Sequence, residues 1–328
     1  MRKDQLRHQG PSLRYCQEGT VKILVTGGAG FIASHVAEAY LGAGHEVVIV
    51  DDLSMGYRKN IPDGARFVEM SITDDAFADF VISEKFDVVN HHAAHMELRV
   101  SVDKPVHDAT INVLGSLRLL EAARRSGVSH VILASTTAVL GEFIHMPAAE
   151  DHPVRPIAPY GVSKRSMELY ADYERITHGM SITTLRYTNV YGPRQNPHGE
   201  SGVIAIFLEK FMQGAIPTIH GDGTQERDYI HVHDVAAANI AALEHRVQGT
   251  YHICCNSAAS VNDVVRALRS ALGQNFEVHH GPAKPGDPAR TRGSYEAFSG
   301  ITGWRPLIEL EQGIHQTVRW FQADHSEQ

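Results

Sequence analysis

Val21-Lys-Ile-Leu-Val-Thr-Gly-Gly-Ala-Gly-Phe-Ile-Ala-Ser-His35 is the stretch that decides the fold. Val21–Val25 is a short, branched apolar run of the kind that makes a buried parallel strand. It turns through Gly27, Gly28 and Gly30 into a helical segment, Phe31–Leu41. Glycine is expected here because a side chain would keep a diphosphate away from backbone N–H groups at the helix start. Gly27, Gly30, Phe31 and Ile32 are therefore the first candidate ligand-binding residues. Ala33 stands at the last position of a G-x-x-G-x-x-G pattern and still permits close helix–strand packing. The alternative is a plain glycine turn.

Glu46–Val50 reads as the next strand, and Asp51 ends it, 21 residues after Gly30. An acidic side chain there accepts hydrogen bonds from ribose hydroxyls and repels a 2′-phosphate. Asp52 is beside it, and no basic residue appears before Arg58. The pattern selects NAD over NADP. Leu53-Ser-Met-Gly56 would lie over the adenosine half, giving Ser54 and Gly56 as contacts, with Ser71 and Ile72 following a third strand at Arg66–Glu69. A fourth strand, Phe86–Asn90, runs into His91-His-Ala-Ala-His95, where small residues fit a surface pressed against a cofactor. His92, Ala93 and Ala94 join the candidate set.

Strands and helices keep alternating. Thr73 or Asp74 is expected to cap a helix reaching Ile82, and a long helix runs from Pro105 to Ser126 with Gly127 as its stop. A strand at His130–Ala134 leads to Ser135-Thr136, a helix opens at Tyr160 and runs to Thr177, and Ser181–Arg186 is a sixth strand. This rhythm predicts an α/β fold with a Rossmann-type doubly wound parallel sheet. Residues 21–186 form its NAD-binding domain, with a return at about 226–254. Residues 187–225 and 255–328 form a smaller α/β substrate-binding domain, and 1–20 a polar extension. Helices are expected at Asp234–His245, at Ser260–Leu272 with Ser260 as cap and Gly273 as stop, and at Leu310–Phe321.

The chain has 328 residues, 43% hydrophobic and 21% charged, the balance of an ordinary globular protein. Its net charge of −8 implies no general attraction to nucleic acid or anionic membrane. No apolar run approaches a membrane span of about 20 residues, and 1–20 lacks the apolar core of a signal peptide. Three cysteines, Cys16, Cys254 and Cys255, match no metal spacing and suggest a reducing cytoplasm. His231 and His233 are expected to share a strand face, and no metal is expected at them or at His91, His92 and His95.

Tyr160 and Lys164 are four residues apart at a helix start, so they face one side. A phenol ordinarily titrates near ~10. A neighbouring ammonium and the positive helix end would stabilise the phenolate and make Tyr160 a base. Thr136, a hydroxyl at a strand's carboxyl end, would hydrogen-bond the same substrate oxygen.

Thr26-Gly-Gly-Ala-Gly-Phe-Ile-Ala33, Asp51, His91-His-Ala-Ala94, Ser135-Thr-Thr137, Tyr160-Gly-Val-Ser-Lys164 and Leu185-Arg-Tyr-Thr-Asn-Val-Tyr-Gly-Pro-Arg-Gln195 together resemble an extended short-chain dehydrogenase/reductase. Within that group the chain resembles the NAD-dependent epimerases and dehydratases acting on nucleotide sugars, and among these the bacterial UDP-glucose 4-epimerases. The resemblance covers about Val21–Phe321. It implies a UDP-sugar substrate and a homodimer formed through Pro105–Ser126 and Tyr160–Thr177. It also implies that His95, Asn189 and Arg227 touch the substrate, with Asp287 and Arg290, and Lys284 nearby, in the phosphate- and ribose-holding loop. Ser71 stands where the family usually has Asp, Leu140 replaces a tyrosine near the sugar, and His95 replaces a common glutamine. Thr137 and Ala138 occupy the positions of the Asp-Glu pair that related 4,6-dehydratases use for elimination. The expected reaction is thus 4-epimerisation through a transient 4-keto sugar. A nucleotide-sugar dehydrogenase, reductase or decarboxylase is the alternative, and a dinucleotide-sensing protein without turnover the remote one.

Overall fold

The computed structural model describes residues 19–198, 202–283 and 288–326. Seven parallel strands build the central sheet. Their spatial order is Gly249–Ile253, Ile182–Tyr187, His130–Thr136, Val88–His91, Lys22–Thr26, Glu46–Asp51 and Arg66–Glu69. The chain winds outward from Lys22–Thr26 through two strands and then returns to its other side at Val88–His91. A crevice opens at such a reversal, beyond the carboxyl ends of the strands.

The two faces follow the period-two alternation of strand side chains. Ile23, Val25, Ile49 and Leu185 pack against Val36 and Tyr40 of the helix Phe31–Gly42 and Val235 and Ala238 of Val232–His245. Leu24, Val48, Val50 and Val89 pack against Phe77 of Ala76–Glu84, Leu119 and Leu120 of Ser116–Ser126, and Met167 of Pro159–His178. A third core gathers Ile204, Phe207, Val264, Leu268, Ile314 and Val318 from the helices Val203–Met212, Val261–Leu272 and Leu310–Ser326. Phe298 and Trp304 belong to the first core although they lie far along the chain.

Helix ends match the sequence signals in part. Ser260 and Asp263 form a reciprocal capping box, and Gly273 ends that helix in the left-handed region at φ 63°. Neither Thr73 nor Asp74 caps the next-to-sheet helix, which begins at Ala76. The Asp74 carboxylate instead turns back to accept the Ser71 N–H at 2.9 Å. The run from Pro105 to Ser126 is helical throughout but widens into a π turn over Thr110–Gly115. His231 closes a strand while His233 lies in the following helix, so they share no strand face. The His231 ring accepts the His233 N–H and the two rings meet edge to face at 4.9 Å. Leu140 is buried against Val139, Ala148, Phe143 and Val154 and does not reach the cleft.

Candidate active site

The cleft at the sheet reversal has a volume of about 1080 Å³ and runs from the first glycine turn to the third core. Gly27 has φ +72°, and a Cβ there would stand 2.7 Å from the Ala93 backbone nitrogen. A Cβ on Gly28 would meet Ile49 at 2.6 Å. These two glycines are therefore required by strand and loop packing inside the protein, before any ligand arrives. Gly30 is the N-cap of Phe31–Gly42, with no side-chain hydrogen bond to the helix start. Phe31 and Ile32, the first residues of the helix, line the cleft, and the N–H groups of a helix's first turn lack intrahelical partners and favour an anion.

Asp51 is committed twice. Its Oδ2 accepts the Ala29 N–H at 3.0 Å and its Oδ1 the Leu53 N–H at 2.8 Å, so it braces the glycine turn as well as lining the cleft. Burial raises its carboxyl above the ordinary range, opposed by those two bonds. Asp52 is the stronger anion of the two. Burial pushes it upward, but hydrogen bonds from Ser54, whose hydroxyl lies 2.5 Å away, prevail and lower it. Ser54, Gly56, Ser71 and Ile72 continue the same wall, with His92, Ala93 and Ala94 across from it. The Nε2 of His92 lies 3.2 Å from the Tyr187 hydroxyl, and its Nδ1 is buried with no partner among the described residues. His91 points the other way, into the core, between Thr26 Oγ1 at 2.7 Å and Ser116 Oγ at 2.9 Å. An open helix end, paired carboxylates at the second strand and a small-residue wall fit a dinucleotide such as NAD.

Thr136, Tyr160 and Lys164 line the middle of the cleft together. Thr136 Oγ1 accepts the Ala138 N–H at 3.1 Å, which leaves its own O–H to donate. Lys164 Nζ donates to the Ala134 carbonyl at 3.0 Å, two residues before Thr136. Burial pulls the ammonium down to about 8, against the charges of Asp108 and Glu168. The Tyr160 phenol is not lowered by the protein alone. Burial pushes it up, and the negative charge of Asp108 adds to the effect.

Farther along lie His95, Asn189 and Arg227. The His95 ring is 3.6 Å from Glu97 and edge to face with His107 at 5.3 Å, and all three line the cleft. Asn112 holds the His95 backbone at both its N–H and C=O, 2.8 Å each. Arg290 is not brought in. It forms a two-pronged ion pair with Glu226 at 2.8 Å and is absent from the cleft lining. Asp287 and Lys284 lie outside the described residues. Sequence reasoning passed over His107, Glu97 and Lys210. Lys210 sits on the cleft side of the helix Val203–Met212, and the pairing of Glu97 with His95 becomes visible only in three dimensions.

The comparisons agree with this geometry. The UDP-glucose 4-epimerase of Mycolicibacterium smegmatis is 37% identical over 308 residues, covering 92% of this chain and 98% of the relative. The structure of a Thermotoga maritima UDP-glucose 4-epimerase with UDP-glucose superposes with a TM-score of 0.89 at 38% identity, covering 93% of this chain and 99% of the other. That of a Thermus thermophilus UDP-glucose 4-epimerase in complex with NAD gives 0.87 at 39%, covering 92% and 99%. Residues 23–254 match the NAD dependent epimerase/dehydratase family, and the chain belongs to it.

Proposed function

We propose that the protein is a UDP-hexose 4-epimerase of the UDP-glucose/UDP-galactose type. One observation carries this reading: Thr136, Tyr160 and Lys164 converge on one wall of the cleft, while Thr137 and Ala138 put no carboxylate beside them. Elimination of water needs such an acid and base, whereas epimerisation needs only one proton acceptor and a hydride store.

The chain's own residues divide the work. The N–H groups at Phe31 and Ile32 hold the diphosphate of NAD, and Asp51 and Asp52 its ribose hydroxyls. Bound NAD supplies a hydride acceptor that is filled and emptied within one turnover. With the cofactor bound, Lys164 together with the added positive charge would favour the Tyr160 phenolate against the rise that burial imposes. Tyr160 then takes the proton of the C4 hydroxyl, and Thr136 donates a hydrogen bond to the same oxygen. After the 4-keto sugar has turned its other face, Tyr160 returns the proton. Arg227 and Asn189 receive the substrate diphosphate, and Lys210 and the third core border the nucleotide end. The separation of the third core from the first two supports an NAD-binding body and a substrate-binding body, with Phe298 and Trp304 packed on the NAD-binding side although the sequence reading put 255–328 with the substrate.

The working unit is a homodimer. Val106 and Leu114 on the run from Pro105 to Ser126, and Leu169, Tyr173 and Ile176 on Pro159–His178, are exposed apolar side chains that a second copy would cover. No helix among the described residues is long and apolar enough to cross a membrane, and Cys254 and Cys255 are unbridged, in keeping with a cytoplasmic enzyme.

The test is incubation of the purified protein with UDP-glucose or UDP-galactose. Interconversion without net NADH is expected. Failure to interconvert the glucose, N-acetylated or uronic pair overturns the reading, and net NADH production or consumption points to a dehydrogenase or reductase.

A further inference from the structure

Asp108 is a carboxylate with no accessible surface, deep beside the catalytic helix. Its Oδ1 accepts Asn112 Nδ2 at 2.8 Å and its Oδ2 accepts Ser163 Oγ at 2.5 Å. Both partners are neutral. A buried carboxylate held by two neutral donors is expensive unless its charge serves a neighbour. Ser163 directly precedes Lys164 and stands with Tyr160 on the helix Pro159–His178. Asn112 lies in the π turn, a distortion that recurs at functional sites, and the same side chain fixes the His95 backbone.

We propose that Asp108 is a positioning residue for the Tyr160–Lys164 pair: its carboxylate, locked by Asn112 and Ser163, sets the charge balance at that pair and with it the pH window of turnover. This rests on the acid–base roles given to Tyr160 and Lys164 above. The charge acts on both in the same sense, favouring the protonated phenol and the protonated ammonium. It resists loss of the Lys164 proton, which burial promotes, and it delays phenolate formation until the positive charge of bound NAD is present. The other titratable groups around the site do not take over this role. On the catalytic helix Glu168 is already paired with Arg186 and Arg165. On the sheet His91 and His92 are held neutral by burial. His107, beside Asp108 on its own helix, is grouped with His95 and, through it, Glu97.

Asp108→Asn removes the charge with little change of shape. Its pH profile of kcat should keep both limbs but move each toward acid by about one pH unit. Phenolate absorbance of the purified variant, measured against Tyr160→Phe, should move the same way, a readout that needs no turnover. Asp108→Glu restores the charge and should return the limbs. A lowered kcat with unmoved limbs in Asp108→Asn overturns the proposal. So does an Asp108→Glu profile displaced from the wild type, a test that stands even if Asp108→Asn does not fold. Full turnover by Tyr160→Phe would instead overturn the epimerase mechanism itself.

Discussion

Lys164 Nζ and the Ala134 carbonyl are joined by a 3.0 Å hydrogen bond that ties the catalytic helix to the strand carrying Thr136. The bond fixes where the ammonium sits and engages one of its three hydrogens. Because burial pulls Lys164 down to about 8, its charge begins to disappear just above neutral pH. Turnover is therefore expected to decline above pH 8 with a single-proton slope. Lys164→Met should abolish that limb, lower kcat at pH 7 by about 10²–10³-fold and move the acid limb upward. A variant that keeps the alkaline limb unchanged would assign it to another group.

Thr136 offers a sharper test of hydrogen-bond roles. Its Oγ1 accepts the Ala138 N–H at 3.1 Å, so only its proton is available to a substrate oxygen. Thr136→Val keeps the shape and removes both bonds. The expected loss in kcat is about 10²-fold, with a stability loss of about 1 kcal/mol for the N–H left without its acceptor. Thr136→Ser should recover most of both. Steady-state kinetics and thermal unfolding separate the two effects, and equal kcat for Val and wild type would remove Thr136 from the chemistry.

What could be read from the sequence is what the chain encodes locally. Gly27–Gly30, Asp51 and the Tyr160–Lys164 pair each carry their meaning within a few residues of strand, turn or helix. Six of the seven sheet strands were legible as short runs, whereas Gly249–Ile253, with its glycine, tyrosine and histidine, does not announce itself as one. What escaped depends on distant partners. Asp108 meets Ser163 across 55 residues, Asn112 reaches His95 across 17, and Glu226 captures Arg290 across 64. Leu140 was expected near the sugar from its place in a motif, but its packing against Ala148 and Val154 turns it inward. The rise of the Tyr160 phenol was missed for a related reason. A helical spacing shows the neighbouring ammonium but gives no measure of the burial that outweighs it.

Asp51 joins the two halves of the cofactor wall, so its removal should be felt even without ligand. It satisfies the Ala29 N–H in the glycine turn and the Leu53 N–H in the loop after the second strand. Asp51→Ala leaves two donors with no acceptor and should cost about 2–4 kcal/mol, in addition to weakening NAD binding. Asp51→Asn retains one acceptor oxygen and removes the charge, and should lose less stability while relaxing discrimination against a 2′-phosphate. Chemical denaturation and NAD/NADP titration distinguish these outcomes. An Asp51→Ala protein as stable as the wild type would contradict the bracing role.

Five histidines make the fold acid-sensitive in a predictable window. Burial is the leading cause that brings His35, His92 and His231 to about 3 and His130 and His252 to about 4. In the unfolded chain each titrates near ~6.5. Between those values the unfolded state binds more protons, so the stabilisation is complete above about pH 6.5 and is lost as pH falls toward the folded values. Each group contributes about 1.4 kcal/mol per pH unit inside its window, which by pH 5 amounts jointly to on the order of 10 kcal/mol, comparable with total stability. Asp228 works in the opposite direction. Burial pushes it up to about 7, so acidification relieves its buried charge and offsets about 3 kcal/mol of the loss by pH 5. Glu84, drawn down to about 2 by Arg66 and then Lys22, gives up stability only below about 4.5. A decline that begins near pH 6.5 therefore belongs to the histidines. Urea unfolding followed by circular dichroism should show the midpoint falling steadily from pH 6.5 to 5, and a midpoint unchanged across that interval would mean that these rings are protonated in the folded protein.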